Sequence, residues 1–173
     1  KNFYKIAYPY EKADFSSLIS SCDYKMKIGD YDWCLKNLAI IPEGSSFYVD
    51  KIVLESICYF MLGEPKKALE LCDEAYKLQP DSISILCNAV SMSLTSNNVE
   101  MADYYFNKID FNALTISEDI YKVLLVCCER GEHTIVKNLS IKYLKQKPYS
   151  VKIRYFYGIA KKHNTSRGDR QKL

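Results

Sequence analysis

Four residues spaced 34 apart constrain this chain more than anything else in it: Gly29, Gly63, Asn97 and Gly131. Gly is the residue for a left-handed backbone, and Asn tolerates that conformation better than most others. Cys34, Ala68, Ala102 and Val136 follow at a constant offset. A position of this kind, held small, lets two helices approach closely. A self-similar period of this length describes stacked helical hairpins, each unable to bury its apolar face alone. The chain is therefore expected to be all-α.

The pattern around those turns predicts the helices. The first runs from near Ala13-Asp14, with Asp14 as N-cap, to about Ile28. Tyr31–Ile40 follows the Gly29-Asp30 turn and is cut short by Pro42. Phe47–Leu62 carries Ile52, Val53, Ile57, Phe60 and Met61 in a helical stripe. Pro65 opens the next helix, where its missing N–H costs nothing, and Pro80 ends it. A helix from Ile83, then Met101–Ile109, make a third pair. Tyr121–Glu129, capped by Ser117, and Thr134–Lys145 make a fourth. Tyr149–Lys162 closes the stack.

The domain boundaries expected on this basis are a lead-in segment over 1–12 and an array over 13–162. Its repeats span about 15–48, 49–82, 83–116 and 117–150, with a capping helix at 149–162 and a flexible basic tail at 163–173.

Tyr59, Gly63, Ala68, Ala75 and Pro80 in the second repeat carry a family resemblance, as do Ala102 and Phe106 in the third and Gly131 and Pro148 in the fourth. Tyr157 and Gly158 stand where the next close-contact pair would be. Together with the 34-residue period, they resemble the tetratricopeptide repeat. The resemblance covers about residues 14–162 and departs from the family at Ile52 and Ser56, where the family prefers Trp and Gly, and at Pro42. It implies a right-handed superhelix of antiparallel helix pairs with the first helix of each pair on the concave face.

Groove residues implied by the resemblance are Ile19, Asp23, Val53, Ile57, Phe60, Cys87, Asn88, Ser91, Tyr121, Lys122, Leu125 and Tyr155. One subgroup of the family grips the C-terminal carboxylate of chaperones with a clamp of Lys, Asn and Arg. Asn88 and Lys122 fit two clamp positions; Val53, Ile57 and Glu118 do not. The face is mainly apolar and suits a helix, a hydrophobic peptide or a second copy of the chain. The same residues could instead simply pack between helices. The resemblance also implies a non-catalytic interaction scaffold in a multi-subunit assembly, by analogy with the tetratricopeptide subunits of the anaphase-promoting ubiquitin ligase.

Charge is unevenly divided. Residues 1–136 hold 13 Lys/Arg against 20 Asp/Glu, and residues 137–173 hold 11 against one. The basic end includes Lys142, Lys145, Lys147, Lys152, Arg154, Lys161 and Lys162. It is either a solvated helix face or a surface for nucleic acid or an acidic partner.

No catalytic constellation emerges. The seven Cys include no CxxC pair, and the two His, His133 and His163, lack ligand spacing. Reduced, buried thiols in an intracellular protein, cytoplasmic or nuclear, are expected. Cys127 and His133 are the nearest nucleophile–base pair in sequence, with a turn between them. No phosphate-binding Gly loop, cofactor or metal motif is present, and no apolar run approaches the ~18 residues of a membrane span. Arg167-Gly168-Asp169 reads as chance; Asn138 and Asn164 match the glycosylation pattern, but the first lies on an expected helix and nothing suggests secretion. The chain opens at Lys1 rather than Met, as expected for a fragment or a processed form.

Overall fold

The computed structural model describes residues 15–111, 114 and 118–170, with residues 118–119 and 164–170 by backbone alone. The described residues are helical hairpins throughout, with no strand among them. The helices are α1 (Phe15–Lys27), α2 (Tyr31–Leu38), α3 (Tyr48–Met61), α4 (Pro65–Leu78), α5 (Ile83–Thr95), α6 (Val99–Phe106), α7 (Glu118–Glu129), α8 (His133–Leu144) and α9 (Val151–Arg170). They divide into two compact units, Lys1–Ala75 and Tyr76–Leu173.

The four period-setting residues all adopt the left-handed conformation. Their φ values are +80° at Gly29, +83° at Gly63, +57° at Asn97 and +74° at Gly131. The same pair of hydrogen bonds closes each turn. At Gly63, its N–H donates to Phe60 O at 3.1 Å and the Glu64 N–H donates to Tyr59 O at 2.9 Å. At Asn97 the equivalent bonds run to Leu94 O at 3.0 Å and from Asn98 to Ser93 O at 2.8 Å. This six-to-one, five-to-two pattern satisfies carbonyls that a helix end would leave open. The next helix starts two residues later in each case, which folds the pair back on itself.

Burial repeats with the same step. Cys34, Ala68, Ala102 and Val136 are fully buried. So are Cys22, Ser56, Val90 and Leu124 one helix earlier. In the first unit, Cys22, Cys34, Leu38, Ile41, Leu54 and Cys58 form one core with Phe15. The Phe15 ring meets Phe47 edge-on at 6.4 Å. Ile41, three residues past the end of α2 and just before Pro42, is buried in the same core. Tyr48 Oη donates to Glu74 Oε1 at 2.8 Å, pinning α3 to α4.

In the second unit, Tyr76 packs edge-on against Tyr105 at 5.6 Å. Tyr143 is buried and donates to the Leu114 carbonyl at 2.5 Å, which ties α8 to the irregular link before α7. Arg130 pairs with Asp103 at 2.7 Å and lies over the Phe106 ring at 4.2 Å. α9 packs on α8 and α7 through buried Ile153 and Ala160.

Helix ends differ in places from the sequence expectation. α6 begins at Val99, where Asn98 caps it by accepting from Met101 N at 3.2 Å, and it ends at Phe106. Ser82 caps α5 in the same way. α9 continues to Arg170, past Lys162, where a tail was expected to begin. The proposed caps Asp14 and Ser117 lie outside the described residues, as does the lead-in segment 1–12.

Candidate functional site

The residues assigned to a groove fall on both units. In the first, Ile19 on α1 and Val53, Ile57 and Phe60 on α3 are half-buried, and Asp23 is exposed. Each rests partly on its neighbours, as an interhelical residue does. In the second, Asn88 and Ser91 on α5 and Tyr121 and Lys122 on α7 are half-buried, while Leu125 and Tyr155 are exposed. Cys87 is buried and belongs to the core, so it presents no groove surface. It sits near Cys127, whose thiol feels it.

Within the second unit the structure brings four of these residues together. Tyr121, Lys122, Leu125 and Tyr155 line a concavity of about 550 Å³ between α7 and α9, with Val151, Lys152 and Phe156. Helical geometry places them. On α7, positions 121, 122 and 125 share a face; on α9, positions 151, 152, 155 and 156 do. The apolar side chains look outward: Leu125 is 48% exposed, Tyr155 66% and Val151 80%. Together these three side chains form one exposed apolar cluster.

Two cations border the concavity. Lys152 Nζ lies 4.8 Å from the Tyr121 ring centroid. Lys122 Nζ donates to Ser84 Oγ on α5. Tyr121 Oη is 3.5 Å from Ser150 Oγ, at the start of α9. At the far end of α7, Glu129 accepts from Ser91 Oγ at 2.8 Å. One face of α7 thus runs from a cation, through apolar side chains, to an anion. Val151, Lys152 and Phe156 were not assigned to this groove from sequence. With Tyr155 they make an i, i+1, i+4, i+5 set on a helix lacking a single apolar stripe, which is the available signal.

Of the basic residues expected at the C-terminal end, Lys152 lines the concavity. Lys142, Lys145, Lys147, Lys152, Arg154, Lys161 and Lys162 are all exposed. Arg154 Nε donates to the Pro148 carbonyl at 2.8 Å and Lys142 lies over the Tyr143 ring at 5.4 Å. A smaller concavity of about 400 Å³ in the first unit is lined by Ser20, Ser21, Tyr24, Lys25 and Trp33. There Lys25 pairs with Asp30 at 2.8 Å and rests over Trp33 at 5.3 Å.

Cys127, the sequence candidate for a nucleophile, is buried. Burial pushes Cys127 up to about 12, with lesser contributions from Cys87, Cys128 and Glu132. It stays a neutral thiol at physiological pH. His133 stacks on His163 instead, with ring centroids 4.1 Å apart and planes 6° from parallel. Among the described residues, no three His, Cys, Asp or Glu side chains gather as a metal site, and no helix is long and apolar enough to cross a membrane.

The fold is tetratricopeptide-like. Two solved structures share it. A crystal structure of MamA protein aligns with a TM-score of 0.57 at 18% identity, covering 91% of this chain and 86% of that one. A second crystal structure of MamA gives a TM-score of 0.57 at 19% identity, covering 87% and 88%. No protein-family model matches the chain, and no curated protein matches it.

Proposed function

We propose that this chain is a non-catalytic protein-interaction module that seats a helix or extended segment of another protein between α7 and α9. The observation that carries this reading is the solvent-facing apolar cluster of Leu125, Val151 and Tyr155 in a concavity large enough for several side chains. Helix-in-groove and strand-like binding both use such a face. Neutral core thiols and the lack of a convergent polar cluster among the described residues favour binding over catalysis. The half-buried Ile19, Val53, Ile57 and Phe60 of the first unit are a secondary contact face in this reading. Self-association and membership of a large assembly, such as a ubiquitin-ligase complex, rest on the family resemblance alone.

The test is affinity capture from cell extract with the native chain and with Leu125→Asp/Tyr155→Asp. Both positions face water, so the variant is expected to fold, which circular dichroism checks. The expected outcome is loss of the captured proteins. An unchanged set would overturn the groove as the binding surface.

One observation supports a second reading, in which the basic end holds nucleic acid. Residues 137–163 contain eight Lys/Arg and no Asp or Glu. Binding of this kind weakens steeply with salt. Fluorescence titration with single-stranded RNA at low and moderate salt decides it, and silence at low salt removes it.

A further inference from the structure

We infer that the segment seated between α7 and α9 is acidic, with an aliphatic or aromatic side chain as its anchor. This rests on the groove reading above and names the chemistry of the occupant. Three observations converge on it.

The first is the border of the concavity. Lys122 and Lys152 stand on its two sides, one from each helix. The Tyr121 ring holds the Lys152 ammonium near the apolar floor, and Ser84 holds that of Lys122. A carboxylate on a bound segment therefore meets cations already positioned, while a Lys or Arg there meets like charge.

The second is the field around it. α9 opens beside Tyr121, capped by Ser150 Oγ accepting from Ile153 N at 3.4 Å, and has no acid in its first turn. The positive end of a helix favours an anion. The eight cations of residues 137–163 add to the same sign. The first two residues of α7 are acidic in sequence, Glu118 and Asp119, and Glu129 lies about 10 Å along α7 from Lys122. The Glu129 carboxylate is engaged by Ser91. The balance on the α9 side remains positive.

The third is the floor. Leu125, Val151, Tyr155 and Phe156 ask for an apolar side chain. Charge alone would not use them, so a purely acidic strand or a phosphate backbone fits the site less well than an acidic segment with an anchor. Electrostatic complementarity of this type selects partners more than it adds affinity.

The experiment titrates the whole chain with fluorescein-labelled peptides of about 15 residues, a length that covers one groove. One peptide carries Leu and Phe anchors at helical spacing flanked by Glu; its counterpart has Lys for every Glu. A third has Glu and Ser without anchors, and single-stranded RNA of similar length is the fourth probe. Each is measured on the native chain, Lys152→Glu and Leu125→Asp. Exposed charge pairs are worth a factor of a few each, so two give about tenfold. The expected result is that the anchored acidic peptide binds about tenfold more tightly than its Lys counterpart, that Lys152→Glu removes the preference, and that Leu125→Asp weakens binding.

Equal binding of both anchored peptides, each weakened by Leu125→Asp, would overturn the acidic assignment and leave the groove reading standing. Binding of the unanchored Glu peptide or of RNA as tightly as the anchored acidic peptide, unmoved by Leu125→Asp, would overturn the anchor and favour the basic-end reading. No binding by any peptide would overturn the inference, with the capture experiment deciding the groove reading separately. Sedimentation velocity on the native chain and Leu125→Asp covers the remaining occupant. Self-association abolished by Leu125→Asp would give the groove to a second copy and overturn the inference.

Discussion

Lys152 holds its ammonium 4.8 Å from the centroid of the Tyr121 ring, so a side chain of α9 reaches across to rest on a side chain of α7. The contact spans the mouth of the groove, which makes its strength a measure of how firmly α9 is held there. Cation–ring contacts at exposed sites contribute about 0.5–1 kcal/mol. Lys152→Met keeps the stem and removes the charge; Tyr121→Leu keeps bulk and removes the ring face. In a double-mutant cycle followed by urea unfolding, the two are expected to couple by about 0.5–1 kcal/mol at low salt and by less at high salt. Coupling indistinguishable from zero at low salt would show that the pair is a neighbour contact with no energetic content.

The turns make a sharper prediction, because one of them is not glycine. Asn97 has φ of +57°, and Gly63 has +83° at the equivalent turn, with open space where a Cβ would stand. Sterics around the side chain therefore do not select glycine at 63; the backbone conformation does. Gly63→Ala and Asn97→Ala are each expected to cost about 1 kcal/mol, since a left-handed non-glycine residue carries a penalty of about 1–2 kcal/mol. Asn97→Gly should stay within about 0.5 kcal/mol of the native chain, losing a tolerant residue but gaining an unstrained one. Thermal unfolding of the three variants ranks them. Asn97→Ala as stable as Asn97→Gly would remove the argument.

These turns also explain how much could be read in advance. Helix pairing was legible because one backbone requirement recurs every 34 residues and the chain meets it with Gly or Asn each time. The buried positions 34, 68, 102 and 136 were legible for the same reason. The groove was less so. Cys87 shares its repeat position with Val53 and Tyr121, yet it is buried, because α5 is apolar on more than one face and sequence periodicity does not tell a lining residue from a core one. Charge groups Lys152 with the basic residues, and periodicity places Val151 and Phe156 only within a capping helix. Only the packing of α9 on α7 turns those side chains toward Tyr121. The length of α9 was hidden by composition: HNTSRGDR is polar, but nothing in it forbids a helix outright.

Alkaline pH should destabilise this protein through its thiols. Burial pushes Cys22, Cys58, Cys72 and Cys127 up to about 12, and raises Cys34 as well. The unfolded thiols ionise near pH 8.5. Above that pH the unfolded chain loses protons that the folded chain keeps, so stability falls as pH rises toward about 12. Below about pH 8 the contribution is fully present and flat. Each thiol adds up to about 1.4 kcal/mol per pH unit once its unfolded form is ionised. Urea midpoints at pH values of about 7.5, 8.5 and 9.5 are expected to fall at an increasing rate, and a midpoint that holds steady or rises would contradict the neutral-thiol assignment. With a thiol-reactive dye on the native chain, half-buried Cys128 should label before the six buried cysteines.

The fully buried small residues carry the largest expected effects. Ala68 and Ala102 are fully buried at equivalent turns of α4 and α6, one in each unit. A larger side chain there has to push two helices apart, and overpacking of a filled core costs about 1–3 kcal/mol. Ala68→Leu and Ala102→Leu are both expected in that range. Ala102→Val should cost less than Ala102→Leu, because Val136 already occupies the matching position on α8 without losing burial. Glu70→Leu on α4 changes volume at a half-turn's remove without touching Ala68's contact, and serves as the control; its effect should stay within about 0.5 kcal/mol. Thermal and urea unfolding measure all four. If Ala102→Leu left stability unchanged, the spacing between helices would be looser than the repeated small residue requires, and the 34-residue register would be set by the turns alone.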